Sequence, residues 1–228
     1  MLNDLGISNP LPNPPILMKE ENRAKFKDYM VRSHKIVLLI LEKLNDRLGF
    51  PPNTLQDLHR MQDPSGDQVR WVRSPPQIID DKKAALGAHT DFGSITVLFN
   101  RLGGLQVLPP KEETWSYVKP LRGHCVVNLG DAMVKLTAGV LRSNIHRVVN
   151  PPGEQVGSVR YSLVYFNRPS DEVLLKPLEG SGVVDQARKG PDWKEDEEVI
   201  SAKEWTLRRA MGRRTGKEWN MGTEGGRA

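Results

Sequence analysis

This chain predicts a mainly β fold, a sandwich or barrel with flanking helices packed outside it. Three observations carry that expectation. About eight short apolar segments follow one another between residues 68 and 166. Glycine, proline, asparagine and aspartate punctuate them, as turns require. The one long helical pattern precedes this region. At 228 residues, one domain with a substantial core is expected.

In chain order, residues 1–18 are rich in proline and should be irregular. Residues 19–48 read as a helix, because Phe26, Met30, Val37, Leu41 and Leu44 recur on one face. His34 falls inside it as a packing or surface residue. Gly49 and Pro51-Pro52 stop it. A second, short helix is expected over 54–61. Residues 68–73 then alternate as a strand up to Pro75-Pro76. Residues 95–99 and 105–108 flank a turn at 101–104 and read as a hairpin. Further strands are expected at 114–118, 124–129, 134–136, 145–149 and 159–166. Beyond Pro169 the pattern weakens, with a loop at 180–190. Ser201 with Glu204 forms a capping box, starting a last helix that runs towards Arg213. Residues 222–228 should be disordered. The expected division is 1–66 as N-terminal segment and helices, 67–171 as the core, and 172–228 as loop, helix and basic tail.

Composition narrows the function classes. Basic residues number 33 against 28 acidic, for a net charge of +5. Part of the excess lies in Lys203, Arg208, Arg209, Arg213, Arg214 and Lys217. With no known nucleic-acid motif beside them, these read as a solvated helix face rather than a nucleic-acid footprint. No apolar run approaches the ~18 residues of a membrane span, and the first residues are proline-rich rather than a secretory signal. Cys125 is the single cysteine, so no intrachain disulfide forms; it reads as a small buried strand residue. A cytoplasmic enzyme with a small-molecule substrate, and with neither nucleic acid nor membrane as partner, is the expectation.

The chemistry is carried by a constellation. His89 and Asp91, two apart on a strand, would aim an imidazole and a carboxylate at one point. Alone this is weak, because roughly one histidine in eight has an acidic residue two places on by chance. His146, on another strand, would complete a two-histidine, one-carboxylate face. Such a face leaves positions of an octahedral ion open and suits non-haem Fe(II). Arg160 and Ser162 repeat the spacing and would present a guanidinium fork and a hydroxyl to a carboxylate. Phe92, Leu98, Leu105, Val164 and Phe166 are candidate apolar pocket walls. Asn128 and Asp131 read as turn residues, His124 as structural, and His59 has no partner pattern.

The local wording strengthens the conjunction. Ala88-His89-Thr90-Asp91-Phe92-Gly93-Ser94, Gly103-Gly104-Leu105-Gln106-Val107 and Arg160-Tyr161-Ser162-Leu163-Val164-Tyr165-Phe166 resemble the 2-oxoglutarate and Fe(II)-dependent dioxygenases. The likeness is to the branch similar to isopenicillin N synthase, in its fungal form, over residues 68–171. The resemblance implies a double-stranded β-helix, or jelly-roll, core. It implies Fe(II) on His89, Asp91 and His146. It also implies 2-oxoglutarate as co-substrate on Arg160 and Ser162, with O2 as oxidant and ascorbate in support. The implied activity is oxidation, with hydroxylation the leading outcome, of a small organic molecule of secondary metabolism, with release of succinate and CO2. An Fe(II) oxidase that does not use 2-oxoglutarate, and a weakly active jelly-roll binding protein, remain the alternatives. Two departures stand out. Val72-Arg73-Ser74-Pro75-Pro76 lacks a tyrosine that many plant relatives carry there. The chain also starts close to its first long helix, so a more open substrate side and loose coupling of co-substrate to substrate oxidation are expected.

Overall fold

The computed structural model describes residues 15–76, 86–194 and 198–215. The expectations for residues 1–14 and 222–228, for Lys217, and for the side chains of Arg213 and Arg214 lie outside the described residues. The remainder of the expected irregular start is a short helix, α1 (Pro15–Met18). It leads into α2 (Glu20–Leu48), whose Val37, Leu41 and Leu48 are buried. Gly49 ends α2 in the left-handed region at φ 71°, where a side chain would be strained. The second helix, α3 (Thr54–Asp57), is one turn long, shorter than expected.

Two four-stranded antiparallel sheets face each other, as in a double-stranded β-helix. The first contains β1 (Gln68–Ser74), β3 (Ile95–Asn100), β6 (Val126–Leu129) and β8 (Arg160–Asn167), in the order β1-β8-β3-β6. The second contains β2 (Leu86–His89), β4 (Leu105–Val107), β5 (Ser116–Tyr117) and β7 (His146–Val148), in the order β2-β7-β4-β5.

The period-2 alternation of the first sheet divides its residues between two environments. Ile95, Val97 and Tyr165 join Val37 and Leu41 of α2 in the main core. Their strand neighbours Thr96, Leu98, Val164 and Phe166 face the space between the sheets. The core therefore sits between helix and sheet, and the functional cavity sits between sheet and sheet.

Several expectations are corrected. β3 and β4 do not form a hairpin: β3 pairs with β6 and β8, and β4 with β5 and β7. The chain changes sheet at Gly103-Gly104. Gly104 has φ 101°, and a Cβ there would lie 2.5 Å from the Val149 carbonyl oxygen, so the turn packs against the end of β7 instead of reversing beside β3. Residues 134–136 are not a strand but the end of helix α4 (Asp131–Leu136). A short apolar run has no readable period, and here every residue of the helix is buried. Residues 182–188 form helix α5 (Gly182–Arg188) where a loop was expected; the Ser181 side chain caps it by accepting from the Val184 N–H. The last helix, α6 (Ala202–Thr215), starts where the capping box placed it, and Ser201 Oγ accepts from the Glu204 N–H at 3.2 Å. Cys125 is half-buried, just before β6 and against the core.

Candidate metal centre

His89 closes β2 and His146 opens β7, and the two are direct cross-strand partners. Their rings lie 4.3 Å apart between centroids. Leu86 and His89 are three apart, an odd spacing that would normally send them to opposite faces. A register shift between them lets both turn towards the cavity.

Asp91 is not on the same strand face as His89, as the two-residue spacing implied, because β2 ends at His89. Beyond it the backbone turns to meet α4. The Asp91 carbonyl accepts from the Asp131 N–H at 2.7 Å, and the Gly93 carbonyl accepts from the Ala132 N–H at 3.1 Å. The exposed amides of a helix start thereby hold the turn. Gly130 is needed for this approach, since a Cβ there would meet Gly93 O at 2.3 Å.

The hydrogen bonds around these side chains decide which atoms face inward. His89 Nδ1 donates to Gly87 O at 2.8 Å, and His146 Nδ1 donates to Asn144 O at 3.1 Å. A carbonyl can only accept, so Nδ1 carries a proton in each ring, and Nε2 is the nitrogen turned towards Asp91. Asp91 Oδ2 accepts from Thr96 Oγ1 at 2.7 Å and from Asn128 Nδ2 at 2.8 Å, which turns Oδ1 towards the imidazoles. Both Nε2 atoms stand 3.9 Å from Asp91 Oδ1. Ligand atoms of all three residues lie within 4.8 Å of one another, close enough to share one cation. Burial works against the Asp91 carboxylate. The neighbouring His146, the bonds from Asn128 and Thr96, and His89 outweigh it, and hold its pKa below the ordinary 3.8. A carboxylate held between two imidazoles whose Nε2 atoms face it fits a divalent ion of the Fe(II) class.

Arg160 opens β8 and is buried; Ser162 shares its face. Arg160 Nε donates to Gly103 O at 2.8 Å and Nη1 to Ser162 Oγ at 2.5 Å. Its Nη2 is buried without a partner. A buried guanidinium donor left unpaired is costly, and a carboxylate entering from the cavity would satisfy it. Burial lowers the Arg160 pKa from its ordinary 12.5.

The cavity measures about 410 Å³ and is lined by His89, Asp91, His146, Arg160 and Ser162 together. Leu98, Leu105, Val164 and Phe166 form apolar walls, as expected. Phe92 does not line it: its ring is covered by the Arg168 guanidinium, 5.0 Å from its centroid.

Sequence reasoning missed several supporting residues. Asn128 holds a carboxylate oxygen of Asp91 instead of making a turn. Asp131 is fully buried, accepting from Thr90 Oγ1 at 2.9 Å and from Arg209 Nη2 at 2.9 Å. Arg209 is therefore not on a solvated face, and α6 braces the residue between His89 and Asp91. Trp205 Nε1 adds a second brace at Phe92 O, at 2.9 Å. His59 has partners after all: Nδ1 donates to Leu55 O and Nε2 accepts from Ser94 Oγ, both at 2.7 Å. His34 is buried with its Nδ1 3.1 Å from Tyr165 Oη, and His124 is exposed. The signal for Asn128 and Asp131 was the Asn128-Leu129-Gly130-Asp131 wording, but pairing across the fold does not show in local pattern.

Known proteins resemble this chain in sequence and in fold. Residues 65–169 match the family described as the 2OG-Fe(II) oxygenase superfamily. The 2-oxoglutarate-dependent dioxygenase iboH of Amanita muscaria is 33% identical over 196 residues, covering 84% of this chain and 85% of that protein. A 2-oxoglutarate-dependent dioxygenase of Aspergillus fumigatus is 37% identical over 190 residues, covering 73% of this chain and 49% of that one; the chain spans about half that relative's length. Among solved structures, a full-length Neurospora crassa protein in complex with alpha-KG and thymine superposes with a TM-score of 0.73 at 23% identity, over 90% of this chain and 60% of that one. The rice dioxygenase for auxin oxidation gives 0.68 at 24%, over 94% and 65%. Identities this low speak to the fold alone. Among the described residues no helix is long and apolar enough to cross a membrane.

Proposed function

The chain belongs to the 2OG-Fe(II) oxygenase superfamily, and from that premise we propose that it oxidises a small organic molecule, with His89, Asp91 and His146 holding one Fe(II) and Arg160 and Ser162 taking the far carboxylate of 2-oxoglutarate. The observation that carries the reading is the convergence of the three ligand atoms within 4.8 Å in a cavity that also contains the unpaired Arg160 Nη2.

Each residue has a task that its surroundings support. His89 and His146 present Nε2 lone pairs because backbone carbonyls hold their Nδ1 protons. Asp91 supplies one negative charge, oriented by Thr96 and Asn128. Arg160 and Ser162 would bind the co-substrate's distal carboxylate, the guanidinium through Nη2 and the hydroxyl through its own proton. Bound in this site, iron with 2-oxoglutarate and O2 supplies the oxidising power for a C–H bond, releasing succinate and CO2. Leu98, Leu105, Val164 and Phe166 exclude water from the reacting region and hold an apolar part of the substrate against it. Hydroxylation is the reaction outcome proposed.

The test is succinate formation by the purified chain with Fe(II), ascorbate, O2 and 2-oxoglutarate. Iron-dependent succinate supports the reading. Iron-dependent O2 consumption without succinate would make the protein an oxidase of another kind. The absence of both would leave a binding protein.

A further inference from the structure

Among the described residues three arginines line the cavity, Arg70, Arg142 and Arg160, and 2-oxoglutarate would account for one of them. Asp91 is the single carboxylate among the described lining residues. With iron and co-substrate in place, the two charges of the metal and that of Arg160 are matched by Asp91 and the two carboxylates of 2-oxoglutarate. Among the described lining residues, no further carboxylate then answers Arg70 and Arg142.

Strand register shows that Arg70 does not belong to the co-substrate end. Along β1 and β8, Ser74 lies opposite Arg160, Val72 opposite Ser162, and Arg70 opposite Val164. β3 extends these rows: Leu98 is opposite Val164, and Thr96 opposite Phe166. Thr96 is the residue that bonds Asp91, so the Phe166 row is the metal's row. The Arg70 guanidinium carbon lies 5.3 Å from the Phe166 ring centroid, next to that row. Four strand residues, about 13 Å, separate it from the level of Arg160. Its contact to Gln68 Oε1, at 3.4 Å, is too long to compete with a carboxylate. Arg142 approaches from the segment that leads into β7, four residues before His146. Both arginines are exposed, available to an incoming ligand.

We propose that the molecule oxidised at this site carries a carboxylate, recognised by Arg70 and Arg142 while its apolar part rests on Leu98, Val164 and Phe166. The proposal rests on the assignment of His89, Asp91 and His146 as the iron site. An inward charge on an edge strand such as β1 also discourages edge-to-edge pairing, and that role alone would make Arg70 indifferent to the ligand's charge. A binding experiment separates the two.

The protein is loaded with Fe(II) and saturated with 2-oxoglutarate under anaerobic conditions, so that the Arg160 end is filled. A panel of small aromatic and aliphatic carboxylic acids, each paired with its primary amide, is then titrated by calorimetry. At least one acid is expected to bind tenfold or more tightly than its amide. Arg70→Gln and Arg142→Gln should each reduce that preference by roughly tenfold, the scale of one charged hydrogen bond. Iron and 2-oxoglutarate titrations should be unchanged in both variants. No acid preferred over its amide, or a preference surviving intact in both variants, overturns the proposal. Failure of the unmodified protein to bind iron or 2-oxoglutarate overturns the iron-site reading instead, and the proposal with it.

Discussion

Removing Arg209 tests how far the last helix supports the metal loop. Asp131 has no exposed surface, and the Arg209 side chain is 11% exposed, so their 2.9 Å contact is a buried ion pair. Charges about 4 Å apart attract by about 4 kcal/mol at an effective dielectric near 20. Burial of Asp131 opposes this. It raises the carboxyl's pKa above 3.8 although Arg209, Thr90 and Ser143 all act to lower it. The pair as a whole is therefore worth little relative to a well-packed apolar substitute, whereas either partner left alone is costly, by ~3–5 kcal/mol. Arg209→Met should lower the melting temperature by roughly 6–12 °C, taking ~3 kcal/mol and the usual scaling for a chain of this size. Adding Asp131→Leu to it should recover part of the loss. The sign of the pH effect follows from the raised pKa. The folded state binds more protons than the unfolded chain just above pH 3.8, so the Asp131 contribution is full below that value and declines as pH rises through the folded pKa. Asp131→Asn should flatten that slope. Thermal unfolding across pH 3.5–7, a range of about this width being enough to span the titration, is the assay. An Arg209→Met protein melting with the unmodified one would refute the reasoning.

Three further outcomes follow from the same contacts. Asn128→Ala removes the 2.8 Å bond to Asp91 Oδ2 and should weaken Fe(II) binding by about 10–100-fold with little change in melting temperature, read by anaerobic metal titration. Arg160→Ala should weaken 2-oxoglutarate binding by about 10–100-fold and leave iron affinity unchanged, read by calorimetry on each ligand. His59 is fully buried and its pKa is lowered from 6.5 to about 4. The unfolded chain therefore binds the extra proton, and roughly 3 kcal/mol of stability present above pH 6.5 is lost as pH falls towards 4. In His59→Gln, denaturant unfolding should show this acid limb flattened; an unchanged limb would place the titration elsewhere.

The legible part of the molecule was the part written in local spacing. The long apolar period of α2, the Gly49 stop and the Ser201 cap follow from residues within a turn or two of each other. The candidate ligands His89, Asp91 and His146, and the pair Arg160 and Ser162, stood out because their residue types suit one chemistry, and the fold brings them to one cavity. Long-range pairing was not legible. Residues 95–99 and 105–108 resemble a hairpin in every local respect, and only the approach of Gly104 to Val149 shows that the chain changes sheets there. Residues 134–136 carry too short a run to distinguish strand from buried helix. Asn128 and Arg209 act across 37 and 78 residues of sequence, respectively, so their bonds to Asp91 and Asp131 leave no periodic trace.

The central claim is that one iron is held by His89, Asp91 and His146, and its stoichiometry is the most direct test. Anaerobic equilibrium dialysis against Fe(II), followed by metal analysis, measures it without a substrate. The account predicts one Fe(II) per chain in the unmodified protein, and loss of nearly all of it in His89→Ala, Asp91→Ala and His146→Ala variants that keep their fold by circular dichroism. Full occupancy at unchanged affinity in His146→Ala would contradict it.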